Sequence, residues 1–157
     1  MAFKLSKRST SNLEGVHPKL ARTVFLALTV YAVHDFGVTC GVRDLATQKR
    51  LLSSGATQTL RSKHLIQEDG YSHAVDLVCY DGGVRWEMPY YVQTAEAMRM
   101  AARQVGLGLT WGACWSAGDY CESDDDCQDM MEDYITLRRQ AGRNPFLDGP
   151  HWQIASV

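Results

Sequence analysis

The sequence predicts an α+β fold, a single small domain with a few helices packed on a short antiparallel sheet. Three observations lead there. Two or three segments have helical composition and helix-like ends. Several others are short, apolar and bounded by turn residues. The two kinds do not alternate strictly, which argues against a parallel βαβ architecture. The 157 residues make one domain, large enough for a real core.

The first helix is expected after Pro18, in LARTVFLALTVYAV, because proline suits a first helical turn. HDFGVTCGVRD (34–44) reads as a loop, a short strand and a turn. LATQKRLLSSG (45–55) reads as a second helix, stopped by Gly55. ATQTLRSKH (56–64) is polar and loop-like. HAVDLVCYDGG (73–83) is a strand that ends in a turn at Asp81-Gly82-Gly83. YYVQTAEAMRMAARQVG (90–106) is the clearest helix, rich in Ala and Met, with Gly106 at its end. LGLTWGACW (107–115) reads as a strand. The segment 116–145 is acidic first and basic later, with a helix expected in QDMMEDYITLRRQ. HWQIASV (151–157) reads as a closing strand.

Bulk composition narrows the function. The formal net charge is -2, so no global basic field favours nucleic acid. The longest apolar stretch, VFLALTVYAV (24–33), is too short to span a bilayer and suits a buried helix. The basic N-terminus lacks the apolar core of a secretory signal. Synthesis in the cytoplasm without a membrane anchor is expected. Five cysteines and no CxxC pair argue against both a disulfide framework and a thiolate zinc finger. Cys121 and Cys127 are close enough in sequence to bridge, although a cytosol keeps thiols reduced.

Asp76 raises the chemical question. It sits among Ala74, Val75, Leu77 and Val78, where an unpartnered carboxylate is costly to bury. His64 lies in the polar loop before that strand, and His151 opens the last strand with Asp148 three residues earlier. His, Asp and His suit zinc, and three ligands leave an open position for catalysis. Spacing alone does not decide it, since no local signature such as HExxH is present. The competing reading is a surface histidine, a hydrogen-bonded strand aspartate and a C-terminal histidine packed on Trp152. His73 is three residues from Asp76, so strand alternation sends it to the other face. His17 and His34 read as capping or packing groups. Trp86, Trp111, Trp115 and Tyr90 read mainly as core, with groove lining as the alternative. Met98 and Met100 read as core filler.

Six blocks resemble the phage endolysins that are L-alanyl-D-glutamate peptidases, relatives of the VanY-type D,D-peptidases. In order they are KLSKRSTSNLEGVHPKL (4–20), DFGVTCGVRDLATQKRLLSSG (35–55), SKHL…SHAVDL (62–77), WEMPYY…AEAMRMAA (86–102), LTWGACW (109–115) and DGPHWQI (148–154). The resemblance implies the small α+β domain of the Hedgehog/D,D-peptidase type, spanning 1–157. It implies zinc bound by His64, Asp76 and His151, with Asp148 as the catalytic carboxylate. Arg43 matches the family arginine on the site rim, for oxyanion stabilisation or for gripping a substrate carboxylate. Gln48 matches a glutamine that orients Arg43 or substrate, and Ser62 is expected to support the site by hydrogen bonding.

The sequence departs from the family pattern in two places. The loop IQEDGYS is longer than usual and puts Ser72 where a glycine is common, which is expected to reshape the groove lip. An acidic and helical segment is inserted at about 116–145. Glu122, Asp124 and Asp126 partly resemble a calcium loop, but position six is Cys127, not Gly. The alternatives are a solvated acidic loop, a loop paired with Arg138 and Arg139, or a lid.

The function implied is hydrolysis of the L-alanyl–D-glutamate bond of bacterial peptidoglycan, for host lysis. The enzyme is expected to act as a monomer, without nucleic acid, and to reach the wall from the cytoplasm through a holin-like pore. The rivals are a D-alanyl-D-alanine carboxypeptidase, a zinc-containing wall-peptide binder without catalysis, and a muramidase.

Overall fold

The computed structural model describes residues 2–57 and 59–156. Helix α1 (Lys7–Asn12) begins the chain, with the Ser6 side chain capping Ser9 N. Sequence reasoning assigned no helix here. Helix α2 (Pro18–Leu26) starts where proline was expected, and the His17 ring accepts a hydrogen bond from Lys19 N. The apolar run continues as a π-helical turn, Ala27–Tyr31. Strand β1 (Asp35–Cys40) and helix α3 (Leu45–Ser53) follow. Asp44 caps α3, and Gly55 takes φ +78° just beyond its end.

Strand β2 (Ala74–Tyr80) turns at Asp81-Gly82-Gly83 into a short strand, β3 (Val84–Arg85), which was not anticipated. The long helix α4 (Met88–Val105) ends at left-handed Gly106. Strand β4 (Leu109–Trp111) is shorter than expected, because the chain coils into single 3₁₀ turns at Trp115–Ala117 and Tyr120–Glu122. Helix α5 (Cys127–Gln140) and strand β5 (His151–Ile154) complete the order. The expected closing strand therefore stops at Ile154, and Val157 lies outside the described residues, as does Gln58 of the polar loop.

The sheet runs β1-β2-β5-β4, with β3 on β2, and every pairing is antiparallel. Strand alternation gives its two faces different jobs. Val75, Leu77 and Trp152 point into the core beside Met98 and Trp111 and are fully buried. Asp76 and His151, one residue out of step, point to the other face. Helices α2 and α4 pack together beneath the core face. Met98 is buried there as expected, but Met100 is exposed, one helical step off the apolar stripe. Among the described residues no helix is long and apolar enough to cross a membrane.

The segment 116–145 is a packed part of the domain. Arg99 of α4 is buried and donates to the carbonyls of Ser123 and Asp125 at 3.0 and 2.8 Å. Arg103 donates to the carbonyls of Cys121 and Ser123. The acidic loop thus pairs with arginines earlier in the chain, not with Arg138 and Arg139 as one expectation had it. Cys121 and Cys127 are free thiols, not a bridge. Burial pushes the Cys121 thiol up to about 12 and Cys127 higher still, so both are inert.

Candidate active site

The site is built on one rung of the sheet. Cys40 of β1 pairs with Asp76 of β2, and Asp76 pairs with His151 of β5. His64 joins them from the loop before β2. That loop is tied down at three points: Arg43 N donates to His64 O (2.9 Å), His64 N to Ser62 Oγ (3.1 Å), and Gly41 O contacts His64 Nδ1 (2.8 Å). Gly41 has to be glycine, since a Cβ there would lie 2.1 Å from Asn12 O.

Both imidazoles aim at one carboxylate oxygen. His64 Nε2 and His151 Nδ1 each lie 3.1 Å from Asp76 Oδ1. Their other nitrogens face acceptors, Gly41 O for His64 and Gln153 Oε1 (2.9 Å) for His151. Neutral rings that donate to those acceptors would turn two nitrogen lone pairs and a carboxylate oxygen toward one point. Protons or a cation must then lie among them. In the metal-free protein it is protons. Burial disfavours a charged His64, but hydrogen bonds to Asp76 and Cys40 outweigh it and push its pKa up to about 10. Burial likewise opposes Asp76 ionisation, and the two histidines overcome it and hold the carboxyl well below its usual range.

The donor set suits zinc. Ligands about 2.0–2.1 Å from a tetrahedral zinc sit roughly 3.3 Å apart, close to the 3.1 Å separations here. Donor atoms within 4.8 Å of one another form two groups, Cys40–His64–Asp76 and Asp76–Asp148–His151. They share Asp76 but neither holds both histidines, so the two rings have to swing together to grip one ion.

Asp148 stands beside this centre on the turn into β5. Four bonds fix that turn: Asp148 N to Gly112 O, Gly112 N to His151 O, Trp111 Nε1 to Gly149 O, and Leu77 N to Pro150 O, all 2.8–2.9 Å. Gly112 permits the close approach, because a Cβ would lie 2.1 Å from Asp148 O. Burial, then the negative charge of Asp76, raises the Asp148 pKa. A carboxyl whose pKa is raised by burial and a neighbouring charge is a candidate general base.

Arg43 completes the polar frame. It donates to Gln48 Oε1 (2.8 Å) and to Asp76 Oδ2 (3.3 Å). Gln48 is fully buried and donates in turn to Thr59 O (2.6 Å). All seven residues singled out from the sequence, namely Arg43, Gln48, Ser62, His64, Asp76, Asp148 and His151, lie in or directly behind one cleft of about 540 Å³.

Two features were not foreseen. Cys40 lies 3.7 Å from His64 Nδ1, and although burial opposes it, that contact lowers its thiol pKa. Gln153 orients His151 from two positions along the same strand, which strand alternation would have suggested. For Trp86, which is 63% exposed, and for Trp115, the groove-lining alternative is the one that holds, since both line the cleft. Conversely, the longer loop is not part of the cleft wall. Residues 65–72 stay off the cleft, and Ser72 is buried with its hydroxyl on Gly41 O (3.1 Å). His73 turns away to Asp69 (2.7 Å). The acidic loop shows no metal-donor group among the described residues. Arginine guanidinium groups occupy the carbonyls that a calcium ion would need.

The family model described as phage L-alanyl-D-glutamate peptidase matches residues 1–136. Among solved structures, the chain is similar to the Serratia marcescens L-Ala D-Glu endopeptidase ChiX. Identity is 36%, over 99% of this chain and 90% of that chain, with a TM-score of 0.69. No curated protein matches. The structural likeness extends past residue 136, through the turn that carries Asp148 and the strand that carries His151. The fold and family expected from the six sequence blocks are those found, and the chain belongs to the phage L-alanyl-D-glutamate peptidases.

Proposed function

We propose that this peptidoglycan hydrolase cuts the L-alanyl–D-glutamate bond of the stem peptide, with a zinc ion held by His64, Asp76 and His151. The observation that carries the reading is the convergence of those three donors beside a carboxylate whose pKa is raised. Zinc, when bound, lowers the pKa of water and polarises the scissile carbonyl.

The chain's own residues supply the rest. Gly41 O and Gln153 Oε1 fix the tautomers of the two histidines, so that the right nitrogens face inward. Asp148 takes the proton of the attacking water and delivers it to the leaving amine, as its environment favours the protonated form. Arg43, braced by Gln48, holds Asp76 in place. Its guanidinium also lies on the cleft wall, where it suits a developing oxyanion or a substrate carboxylate. The enzyme acts as a monomer, made in the host cytoplasm and released to the wall through a holin-like pore.

Digestion of purified Gram-negative sacculi, with products read by mass spectrometry and a chelated control, tests this. Stem peptides with a new D-glutamate N-terminus, absent under chelation, are expected. Loss of only a terminal D-alanine would replace the endopeptidase reading with a carboxypeptidase. Intact peptides in a fully zinc-loaded sample would leave a binding module.

A further inference from the structure

The cleft has two chemically different ends. On the His64 side, Arg61 and Lys63 line it. On the other side the rings form a series. His151 lies 5.1 Å from His64, Trp115 lies 5.4 Å from His151, and Phe146 stacks on Trp115 at 6.2 Å, centroid to centroid. Beyond that aromatic wall lies a second cavity of about 480 Å³, shared with Ser116, Tyr134 and Arg138.

The wall is built in advance of any ligand. Phe146 O accepts from both Trp115 Nε1 (3.1 Å) and Tyr134 Oη (3.0 Å), and Phe146 N donates back to Tyr134 Oη (3.2 Å). Arg138 is steadied by two bonds to Asn144 O. Tyr134 and Arg138 both belong to α5, so that helix helps to form this cavity.

The substrate is equally asymmetric. Downstream of the cut, D-glutamate and the residue after it carry free carboxylates. Upstream, a single alanine joins the peptide to the lactyl group of muramic acid. One residue spans at most about 3.6 Å, so the sugar has to lie close to the cut. The geometry points to a saccharide subsite in the second cavity, with the muramyl sugar on the Trp115–Phe146 wall and the acidic half of the stem over Arg61 and Lys63. A flat aromatic wall with a hydroxyl and a guanidinium at its edge suits a sugar, apolar on its faces and polar around its rim. The aromatic wall lines both the catalytic cleft and this cavity, so one substrate can occupy both.

This inference rests on the bond assigned above, and its test separates the two. The zinc-loaded enzyme is given L-Ala–γ-D-Glu–diaminopimelate with the alanine nitrogen capped either by acetyl or by the lactyl group of N-acetylmuramic acid. The kcat/KM for the muramyl substrate is expected to be about tenfold higher. Ser116→Trp, which fills the cavity, and Arg138→Ala are each expected to bring the ratio of the two values near one. A ratio is insensitive to partial loss of folded enzyme. Equal kcat/KM in the unaltered enzyme, or a preference that survives both variants, overturns the subsite while leaving the bond assignment standing. If neither substrate is cut between alanine and glutamate, the bond assignment falls and the subsite falls with it.

Discussion

Two regions of this small domain are crowded with charged side chains, and they behave in opposite ways. On the sheet rung of Asp76 and His151, donors converge on one point, are largely buried and present more lone pairs than protons satisfy once the histidines are neutral. In the acidic loop, more carboxylates lie close in sequence, yet its backbone carbonyls are already held by Arg99 and Arg103, and Asp124 is exposed against Arg103. Density of negative charge does not make a cation site. Convergent geometry with unfilled acceptors does. The first region should therefore control chemistry and the second should control stability.

The largest expected effect breaks the rung. His64→Ala or His151→Ala should remove bound zinc, measured by metal analysis, and reduce peptide cleavage to background. Activity in either metal-free variant would separate the rung from catalysis. Next, Asp148→Ala should keep its zinc and lose about 10²–10⁴ in kcat, the usual worth of a positioned general base. Near-normal turnover would mean that another group moves the proton.

The opposite experiment sharpens the contrast from the other region. Arg99→Ala removes two bonds to loop carbonyls and the 2.7 Å pair with Glu96. Denaturant unfolding should show a loss of about 3 kcal/mol, while zinc content stays stoichiometric. Lost zinc with unchanged stability would reverse the assignment of roles.

The sequence disclosed these regions unequally, for physical reasons. Asp76 was conspicuous because a carboxylate in an apolar strand needs a partner, and alternation correctly turned His73 away from it. The pairing of Asp76 with His151, seventy-five residues on, is a matter of strand register, which no local pattern encodes. It came from the resemblance. Gln153 was legible in principle, two residues from His151 on a strand. Cys40 was not, since its place beside His64 depends on a loop folding back over Gly41. The acidic segment left a calcium loop, a lid and an arginine-paired loop open, because its actual arginine partners lie about twenty to thirty residues earlier, on α4. The brief helix α1 was missed because six residues leave too little periodicity to see.

A smaller effect distinguishes the metal-free rung from the zinc-loaded one. In the metal-free protein the His64 pKa is raised to about 10. Its contribution to stability is full below the unfolded value of about 6.5 and is lost as pH rises through about 10. Asp76, whose pKa is lowered, contributes above about 3.9 and loses that contribution as pH falls further. Zinc has to displace the His64 proton, so zinc affinity should rise with pH, by about tenfold per unit between pH 6 and 8 if one proton is released. Chelator competition across that range measures the slope. A flat profile would mean that His64 is already neutral before the metal arrives.

The smallest expected effect is none at all. Adding millimolar calcium should leave the melting temperature of the zinc-loaded protein unchanged. A ligand at a hundred times its Kd stabilises by about 2.7 kcal/mol, a shift of several degrees for a domain of this size, so a real site would be seen. The carbonyls of Cys121, Ser123 and Asp125 face guanidinium groups at 2.6–3.0 Å, and a calcium ion placed there would have to expel two fixed cations. Arg103→Ala refines the test. It frees the carbonyl of Cys121 while Arg99 still holds Ser123 and Asp125, so calcium should remain without effect. A shift that appears only in this variant would show that the Arg103 guanidinium occupies a place a cation can take. A shift in the unaltered protein would place calcium instead on the carboxylates of Asp119, Glu122 and Asp133, away from the arginines, and would end the contrast between the two regions.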